Sequence, residues 1–363
     1  MARFTDVFSD ETKRGYKIQT SEYLPFGKYP IIDQGQAQIV GYTNLENGLF
    51  TDVPAIIFGD HTRIVKYVDR PFFLGADGVK VLKAKVRDTD YKYLFYCLQN
   101  AKIPNTGYNR HFKWLKDVDI PLPPLEEQCQ IAALLDKVSD LIAKRRQQLD
   151  KLDELIKARF VEMFGDVIQN TKLWPQYIFS DITTSRLGKM LDAKQQTGMC
   201  QYPYLANFNV QWFRFELDNL NEMDFDEADR IEFELRDGDL LVCEGGEIGR
   251  CAVWHNEIQP CYFQKALHRV RCKKEIVLPD YLAWWFKYNC DNKGFAAIEG
   301  AKATISHLPG AKLKALLVSV PPIEQQNQFA AFVEQTEKTK TTISRSLEKL
   351  ETLKKALMQK YFG

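Results

Sequence analysis

No Cys-x-x-Cys pair occurs in the sequence, although eight cysteines are spread through it, at 97, 129, 200, 243, 251, 261, 272 and 290. That spacing fits neither a zinc ribbon nor a disulfide framework and reads as reduced thiols packed in and around cores. A Walker A sequence is missing, so no ATP-driven motor is expected in this chain. A glycine-rich cofactor loop of the GxGxxG kind is missing too. "EGGEIG" (244–249) lacks the spacing and sits between two strand-like runs. The only Pro-Pro pairs, 123–124 and 321–322, have no Asn or Asp before them, unlike the catalytic motif of an adenine methyltransferase. Five histidines and no nucleophile motif leave a Ser-His-Asp or Cys-His site without support. No apolar run approaches the ~18 residues of a membrane span. The first residues, MARFTDVFSDETKRGYKI, contain no apolar signal core, so export is not expected and a cytoplasmic location is. Charge of one sign is scarce as well. A formal net charge of +1 weighs against a nucleic-acid binder, which often shows a clear basic excess, while leaving room for a basic face balanced by acidic helices and partner-facing surfaces.

What is present is an ordinary globular composition, 45% hydrophobic and 27% charged, carrying one long segment twice. "LPPLEEQCQIAALLDKVSDLIAKRRQQLDKLDELIKARFVEMFG" (122–165) aligns without a gap to "VPPIEQQNQFAAFVEQTEKTKTTISRSLEKLETLKKALMQKYFG" (320–363). Repeats of this kind are read before any other feature. Each copy opens on a proline pair, which suits the first turn of a helix, followed by glutamates where the helix dipole favours them. Neither proline nor glycine recurs until Gly165 and Gly363. The pattern predicts two helices of roughly 40 residues, about 60 Å long. In the first, Ile131, Leu135, Val138, Ile142, Leu149, Leu152 and Ile156 recur at steps of four and three, with Arg145 and Arg159 in the same series. In the second, Phe329, Val333, Ile343, Leu347, Leu350 and Leu357 do so, interrupted by Thr336, Lys340 and Lys354. Such a stripe is the seam of a coiled coil, and the partner of matching length is the other copy, most simply antiparallel.

The segments before each helix are rich in aromatic and β-branched residues and turn signals, hence mixed and strand-rich. They resemble each other in order. "PAIIFGDHTRIVKYV" (54–68) parallels "GDLLVCEGGEIGRCAVW" (238–254), and "RPFFLGADGVKVLKAK" (70–85) parallels "QPCYFQKALHRVRCKK" (259–274). "DYKYLFYCLQN" (90–100) parallels "PDYLAWWFKYN" (279–289), and "KWLKDVDIPLPP" meets "AKLKALLVSVPP" just before each helix. The predicted architecture is α+β, a pseudo-two-fold repeat of globular domain 1–121, helix 122–165, globular domain 166–319 and helix 320–363.

With these residues in view, the chain resembles the specificity subunits of type I DNA restriction–modification systems. The carriers are "PLPPLEEQCQIAALLDKVSDLI" with its copy "VPPIEQQNQFAAFVEQ", and "YPYLANFNV" followed by "DGDLLVCEGGEIGRCAVW". The first domain departs from the Gly-Asp…Gly-Arg pattern, with Gly59-Asp60-His61-Thr62-Arg63 in that place. The resemblance implies two target-recognition domains, each reading one half of a bipartite, asymmetric site in double-stranded DNA. It implies that the helices set the spacer and dock two modification (methyltransferase) subunits and, through them, restriction subunits. The chain itself would be non-catalytic, and S-adenosylmethionine, Mg²⁺ and ATP would belong to the partners.

Base edges are read by Arg, Lys, Asn and Gln, and phosphates are held by Lys, Arg, Ser and Thr. On that chemistry the candidates in the first domain are Gln34, Gln36, His61 and Arg63, with Tyr108, Asn109, Arg110, His111 and Lys113 in "TGYNRHFK" (106–113). In the second they are Arg186 and Lys189 in "SRLGK", Asn207, Asn209 and Gln211 in "NFNVQW", Arg250, and Lys302 with Thr304 in "EGAKATISH" (299–307). Trp212 reads as packing, and Arg250 has the alternative of pairing with Glu244 or Glu247. The acidic run "LNEMDFDEADRIEFE" (220–234) could hold a metal for a nuclease, but reads as a solvated loop or edge. Two further classes remain open at this point: a two-headed coiled-coil adaptor joining proteins without reading DNA, and a nuclease or modification fragment of unfamiliar type.

Overall fold

The computed structural model describes the whole chain except residues 76, 108, 193–195 and 297–306. It divides into two compact units, Met1–Gln148 with Ile343–Gly363, and Leu149–Thr342.

Unit 1 contains β1 (Ala2–Arg3), α1 (Phe4–Val7), β2 (Phe8–Asp10), β3 (Tyr29–Ile32), β4 (Gly41–Thr43), β5 (Ala55–Gly59) and β6 (Val65–Val68). Then come β7 (Phe73–Leu74), β8 (Val79–Ala84), α2 (Tyr91–Gln99), α3 (Phe112–Leu115) and β9 (Asp119–Ile120), followed by α4 (Leu125–Phe164), of which unit 1 holds the residues up to Gln148. Its main sheet is antiparallel in the order β2-β8-β5-β6. Every residue of β5, AIIFG, is buried, as expected of a strand covered on both faces. A smaller sheet, β4-β3-β7, contains the parallel pair β3–β7. Asp90 caps α2, its carboxylate accepting from Tyr93 N at 2.7 Å.

Unit 2 contains β10 (Gln176–Ile178), α5 (Phe179–Ile182), β11 (Thr183–Leu187), β12 (Gln201–Leu205), β13 (Val210–Gln211), β14 (Arg214–Phe215) and β15 (Asn221–Asp224). It continues with α6 (Glu227–Phe233), β16 (Leu240–Cys243), β17 (Cys251–Val253), β18 (Tyr262–Phe263) and β19 (Leu267–Cys272). Last are α7 (Pro279–Asp291), α8 (Gly310–Lys314), β20 (Leu317–Ser319) and α9 (Ile323–Phe362), of which unit 2 holds the residues up to Thr342. The sheet orders β11-β19-β16-β17 and β15-β12-β18 repeat those of unit 1, again with one parallel pair, β12–β18. The β13–β14 hairpin and α6 are added between repeated elements. The acidic run 220–234 is therefore β15 and α6, an ordered part of the unit.

The long helices α4 and α9 are 40 residues each. In unit 1, Ile131 and Leu135 of α4 pack in one cluster with Tyr93, Leu94 and Cys97 of α2 and with Leu357, Met358, Tyr361 and Phe362 of α9. Arg146 reaches Glu351 at 2.6 Å. In unit 2, Asp153 meets Lys340 at 2.7 Å, and the rings of Phe160 and Phe164 stand 5.5 and 5.3 Å from Phe329. Inside each unit, ascending positions on one helix meet descending positions on the other, so each local pairing is antiparallel. Of the stripe residues, Ile131, Leu135, Val138, Ile142, Ile156 and Phe329 are buried; Leu149, Leu152, Val333, Ile343, Leu347, Leu350 and Leu357 are half-buried.

One lock seats each long helix. Buried Gln128 accepts from Thr89 Oγ1 (2.9 Å) and Asp90 N (3.1 Å) and donates to Pro123 O (2.8 Å). Buried Gln326 accepts from Leu278 N (2.8 Å) and donates to Ile276 O (2.9 Å) and Pro321 O (2.8 Å). Tyr93 donates to Pro121 O at 3.0 Å, and Tyr281 to Ser319 O at 2.6 Å. The start of each domain helix is thereby tied to the start of a long helix.

Candidate nucleic-acid interface

Three loops of unit 1 converge at one end of its main sheet. The segment after β3 places Gln34 at the centre. Its Nε2 donates to Asp77 O (2.7 Å), its Oε1 accepts from His61 N (3.1 Å), and its carbonyl accepts from Thr62 Oγ1 (2.6 Å). His61 Nδ1 lies 3.2 Å from Asn109 O, which joins the hairpin tip of β5–β6 to the loop before α3. Gly78, at φ +87°, makes this closure possible: a β-carbon there would fall 2.7 Å from both Gln34 Nε2 and His61 Cδ2. Asp60 completes the hub. Its carbonyl accepts from His111 N (2.7 Å), and its carboxylate accepts from Phe112 N (2.7 Å) at the start of α3.

Residues expected from separate parts of the sequence thus come together. Gln36, Asn109, Arg110 and Lys113 are exposed, with Lys113 lying over the Trp114 ring at 4.2 Å. Asp77 has its pKa lowered by Lys17 first of all, and by the Arg110 charge as well. Arg63 adopts φ +61° and donates to Ile103 O at 3.4 Å. Tyr108 lies outside the described residues. His111 requires a correction. Only 1% exposed, it presents no surface to a ligand, and its Nδ1 lies 3.0 Å from Asp60 O in the interior of the loop.

Unit 2 builds the same hub from other side chains. Glu244 N donates to Ala266 O (2.8 Å), and Glu244 O accepts from Leu308 N (2.6 Å). The matching bonds of unit 1 run from Asp60 N to Gly78 O (2.7 Å) and from His111 N to Asp60 O. Asn207 donates to Gly245 O (3.1 Å), and Arg250 donates to Asn207 O (3.0 Å). Arg250 therefore ties two loops together, and no ion pair joins it to Glu244 or Glu247 among the described residues. Gln211 donates to Phe208 O at 3.0 Å, and Phe208 itself is 56% exposed. Asn209 is corrected in the same sense as His111. Only 1% exposed, it accepts from Ala206 N and donates to Glu216 O, shaping the turn from inside. Trp212 donates to Glu247 Oε1 at 2.8 Å.

The basic turn at the end of β11 is neutralised by the acidic run. Arg186 pairs with Glu232 at 2.5 Å; Lys189 pairs with Asp229 and donates to Asp224 O at 2.6 Å. Arg186, Lys189, Asp229 and Glu232, with Lys265, His268 and Lys314, line an open cleft of about 670 Å³. His268 Nε2 stands 3.1 Å from Leu308 O, and burial holds its pKa below the usual histidine value. Lys302 and Thr304 lie outside the described residues. No group of three or more metal-ligating side chains occurs among the described residues, and none of their helices is long and apolar enough to cross a membrane. Sequence reasoning passed over Gln128 and Gln326, although both stand at the same place in the two copies of the helix-start motif. It also passed over Lys66, whose inward position in the alternating strand VKYV was the available signal.

A family model described as the type I restriction modification DNA specificity domain matches residues 1–154 and 172–352. The specificity subunit of the type I restriction enzyme EcoR124I/EcoR124II from Escherichia coli is 28% identical over 158 residues, covering 40% of this chain and 39% of that protein. The EcoKI specificity subunit of Escherichia coli K12 is 22% identical over 266 residues, covering 68% and 57% respectively. The chain thus spans about two fifths to three fifths of the length of these curated relatives. Among solved structures, the type I restriction-modification S subunit from M. genitalium aligns with a TM-score of 0.63 at 15% identity, over 99% of this chain and 95% of that one. A chain from a structure describing assembly and conformational transition of the type I R-M system aligns with a TM-score of 0.55 at 16% identity, over 99% and 95%. At these identities the likeness is one of fold.

Proposed function

The chain belongs to the type I restriction-modification DNA specificity family, and on that premise we propose that it is a non-catalytic subunit that reads double-stranded DNA. Each unit takes one half of a bipartite, asymmetric site. The carrying observation is that two domains of identical sheet order present different side chains at the same hub. Gln36, Asn109, Arg110 and Lys113 supply donors and acceptors for base edges and phosphates in unit 1. In unit 2 the corresponding surface is formed by Gln211, Phe208 and the cleft beside Arg186; Lys302 and Thr304, candidates from the sequence, lie outside the described residues. Because Asp229 and Glu232 already hold Lys189 and Arg186, DNA phosphates would have to exchange with those carboxylates there.

The same reading assigns 1–121 and 166–319 to recognition and 122–165 and 320–363 to a coiled-coil spacer. The spacer docks two methyltransferase subunits and, through them, restriction subunits in the cytoplasm. S-adenosylmethionine, Mg²⁺ and ATP are then the partners' cofactors. Mapping adenine methylation in a host carrying this chain with its methyltransferase subunit tests the proposal. The expected motif has two unlike halves separated by unread base pairs, and deletion of one heptad within 130–159 shortens that gap while leaving both halves intact. No bipartite motif, together with no salt-dependent DNA binding, would leave a protein-joining adaptor as the reading.

A further inference from the structure

Lys66 is a lysine with a 3% exposed side chain, on a strand whose neighbours are apolar. Buried charges of this kind are uncommon and need partners. Its ammonium donates to Ala37 O at 2.5 Å and lies 3.5 Å from Asp33 Oδ1. Asp33 in turn accepts from Gly35 N at 2.8 Å, and Gln38 donates to Tyr67 O at 2.9 Å, beside Lys66 on β6. Every one of these bonds ends in the segment 33–38, whose outer residues Gln36, Ala37 and Gln38 are exposed. The segment is also closely seated. A β-carbon at Gly75 would stand 2.8 Å from Asp33 Cβ, so no side chain fits between the loop and the strand beneath it. Burial lowers the Lys66 pKa, and Asp33 counters that shift in part. In unit 2 the matching register position, opposite Leu241, is Ala252, which is buried and apolar. Unit 2 therefore carries no charge at this register position; the buried cation of the same cross-strand row is Arg269, on β19 opposite Leu241, where it donates to Glu232 O and Glu234 O.

We propose that Lys66 and Asp33 are positioning residues that hold the 33–38 loop in the shape that reads one half of the DNA target. This rests on the DNA-reading function proposed above and goes beyond it by naming what sets specificity in unit 1 from beneath the surface. A loop held rigid before binding discriminates better, because little ordering remains to be done on contact.

The test uses the full chain with its methyltransferase subunits and a plasmid library randomised across both half-sites, read by adenine methylation. Lys66→Met keeps the length and removes the charge. Asp33→Asn keeps the volume and the bond to Gly35 N and guards against a Lys66→Met chain that fails to fold. Each is expected to relax one half of the motif, lowering discrimination at one or more of its base pairs by about tenfold, within the usual cost of a mismatched pair. The other half is expected to stay as strict as in the wild type. The second half-site serves as the internal control that a general loss of stability would also move. Equal weakening of both halves, or an unchanged motif, would overturn the proposal. A wild-type chain that directs no bipartite methylation would instead remove the DNA-reading function itself, a separate failure.

Discussion

The two units use one scaffold for two surfaces. Along the main sheet, Asp10, Leu82, Ile56 and Tyr67 stand in one cross-strand row, and Ser185, Val270, Leu240 and Val253 form the same row in unit 2. Buried positions in these rows keep their size class, and the Gln–Tyr lock beneath them is present twice. Above the sheet the likeness ends. Unit 1 closes its hub with Gln34, His61 and Asn109, and unit 2 with Asn207 and Arg250, adding α6 and the β13–β14 hairpin. What is held in common is mechanical, seating a domain on a pair of helices. What differs is the chemistry offered to a ligand, where loops on a rigid scaffold are free to vary.

The most severe test of the shared scaffold is the lock. Replacing Gln326 by Leu strands Leu278 N, Ile276 O and Pro321 O in a buried place. Each unsatisfied group costs ~1–3 kcal/mol, so a loss of about 3 kcal/mol is expected after partial relaxation. Gln128→Leu strands Asp90 N and Pro123 O, and the expected loss is about 2 kcal/mol. Denaturant titration with hydrogen exchange resolving each unit is the measurement. A large loss in one unit and none in the other would break the equivalence.

That lock marks the limit of what the sequence disclosed. The helices were legible because forty residues without proline or glycine and with a four-three stripe have few other solutions. The order of the strands was legible as parallel phrases in the two halves. Gln128 and Gln326 were not assigned, because a glutamine in a charged helical turn reads as solvated until the carbonyls around it are known. Phe160 and Phe164 were passed over because the seam does not hold one period. An α-helix drifts against a strict heptad, and by the end of α4 the buried line steps by four, from Ile156 to Phe160 to Phe164. Among candidate readers, Arg186 and Lys189 looked free because their carboxylate partners lie some forty positions along the chain, on α6.

Two seam lysines sharpen the comparison, since they break the stripe in different units. Burial pulls the Lys340 pKa down, but its bonds to Asp153 and Glu337 outweigh this and leave it above the ordinary 10.5. Lys354 is lowered by burial and then by Arg146; its ammonium lies 5.7 Å from the Tyr96 ring. The signs are opposite. A raised folded-state value stabilises below 10.5, and that contribution is lost as pH rises through the folded pKa. A lowered value penalises the fold below the folded pKa, and the penalty fades as pH climbs towards 10.5. Lys340→Leu should therefore cost unit 2 about 1 kcal/mol at pH 8 and abolish its alkaline loss. Lys354→Leu should stabilise unit 1 by about 1 kcal/mol at pH 8 and abolish its alkaline gain. Melting midpoints at pH 8 and pH 10.5 decide it, and two shifts of the same sign would refute the contrast.

The smallest effect is expected where the contact is most conspicuous. Arg146 and Glu351 join α4 to α9 in unit 1 at 2.6 Å, but their side chains are 64% and 43% exposed. Water and salt screen such a pair, and holding two long side chains in one geometry costs entropy. Arg146→Ala should change stability by no more than about 0.5 kcal/mol, and less in 0.5 M salt than at low salt. Ile131 and Leu135, two buried residues on the same helix, should each cost ~2–5 kcal/mol when cut to Ala. Measured side by side in one denaturant series, the two classes rank what pairs the helices in unit 1. A loss above about 1 kcal/mol for Arg146→Ala would move that role from the apolar stripe to the charges outside it.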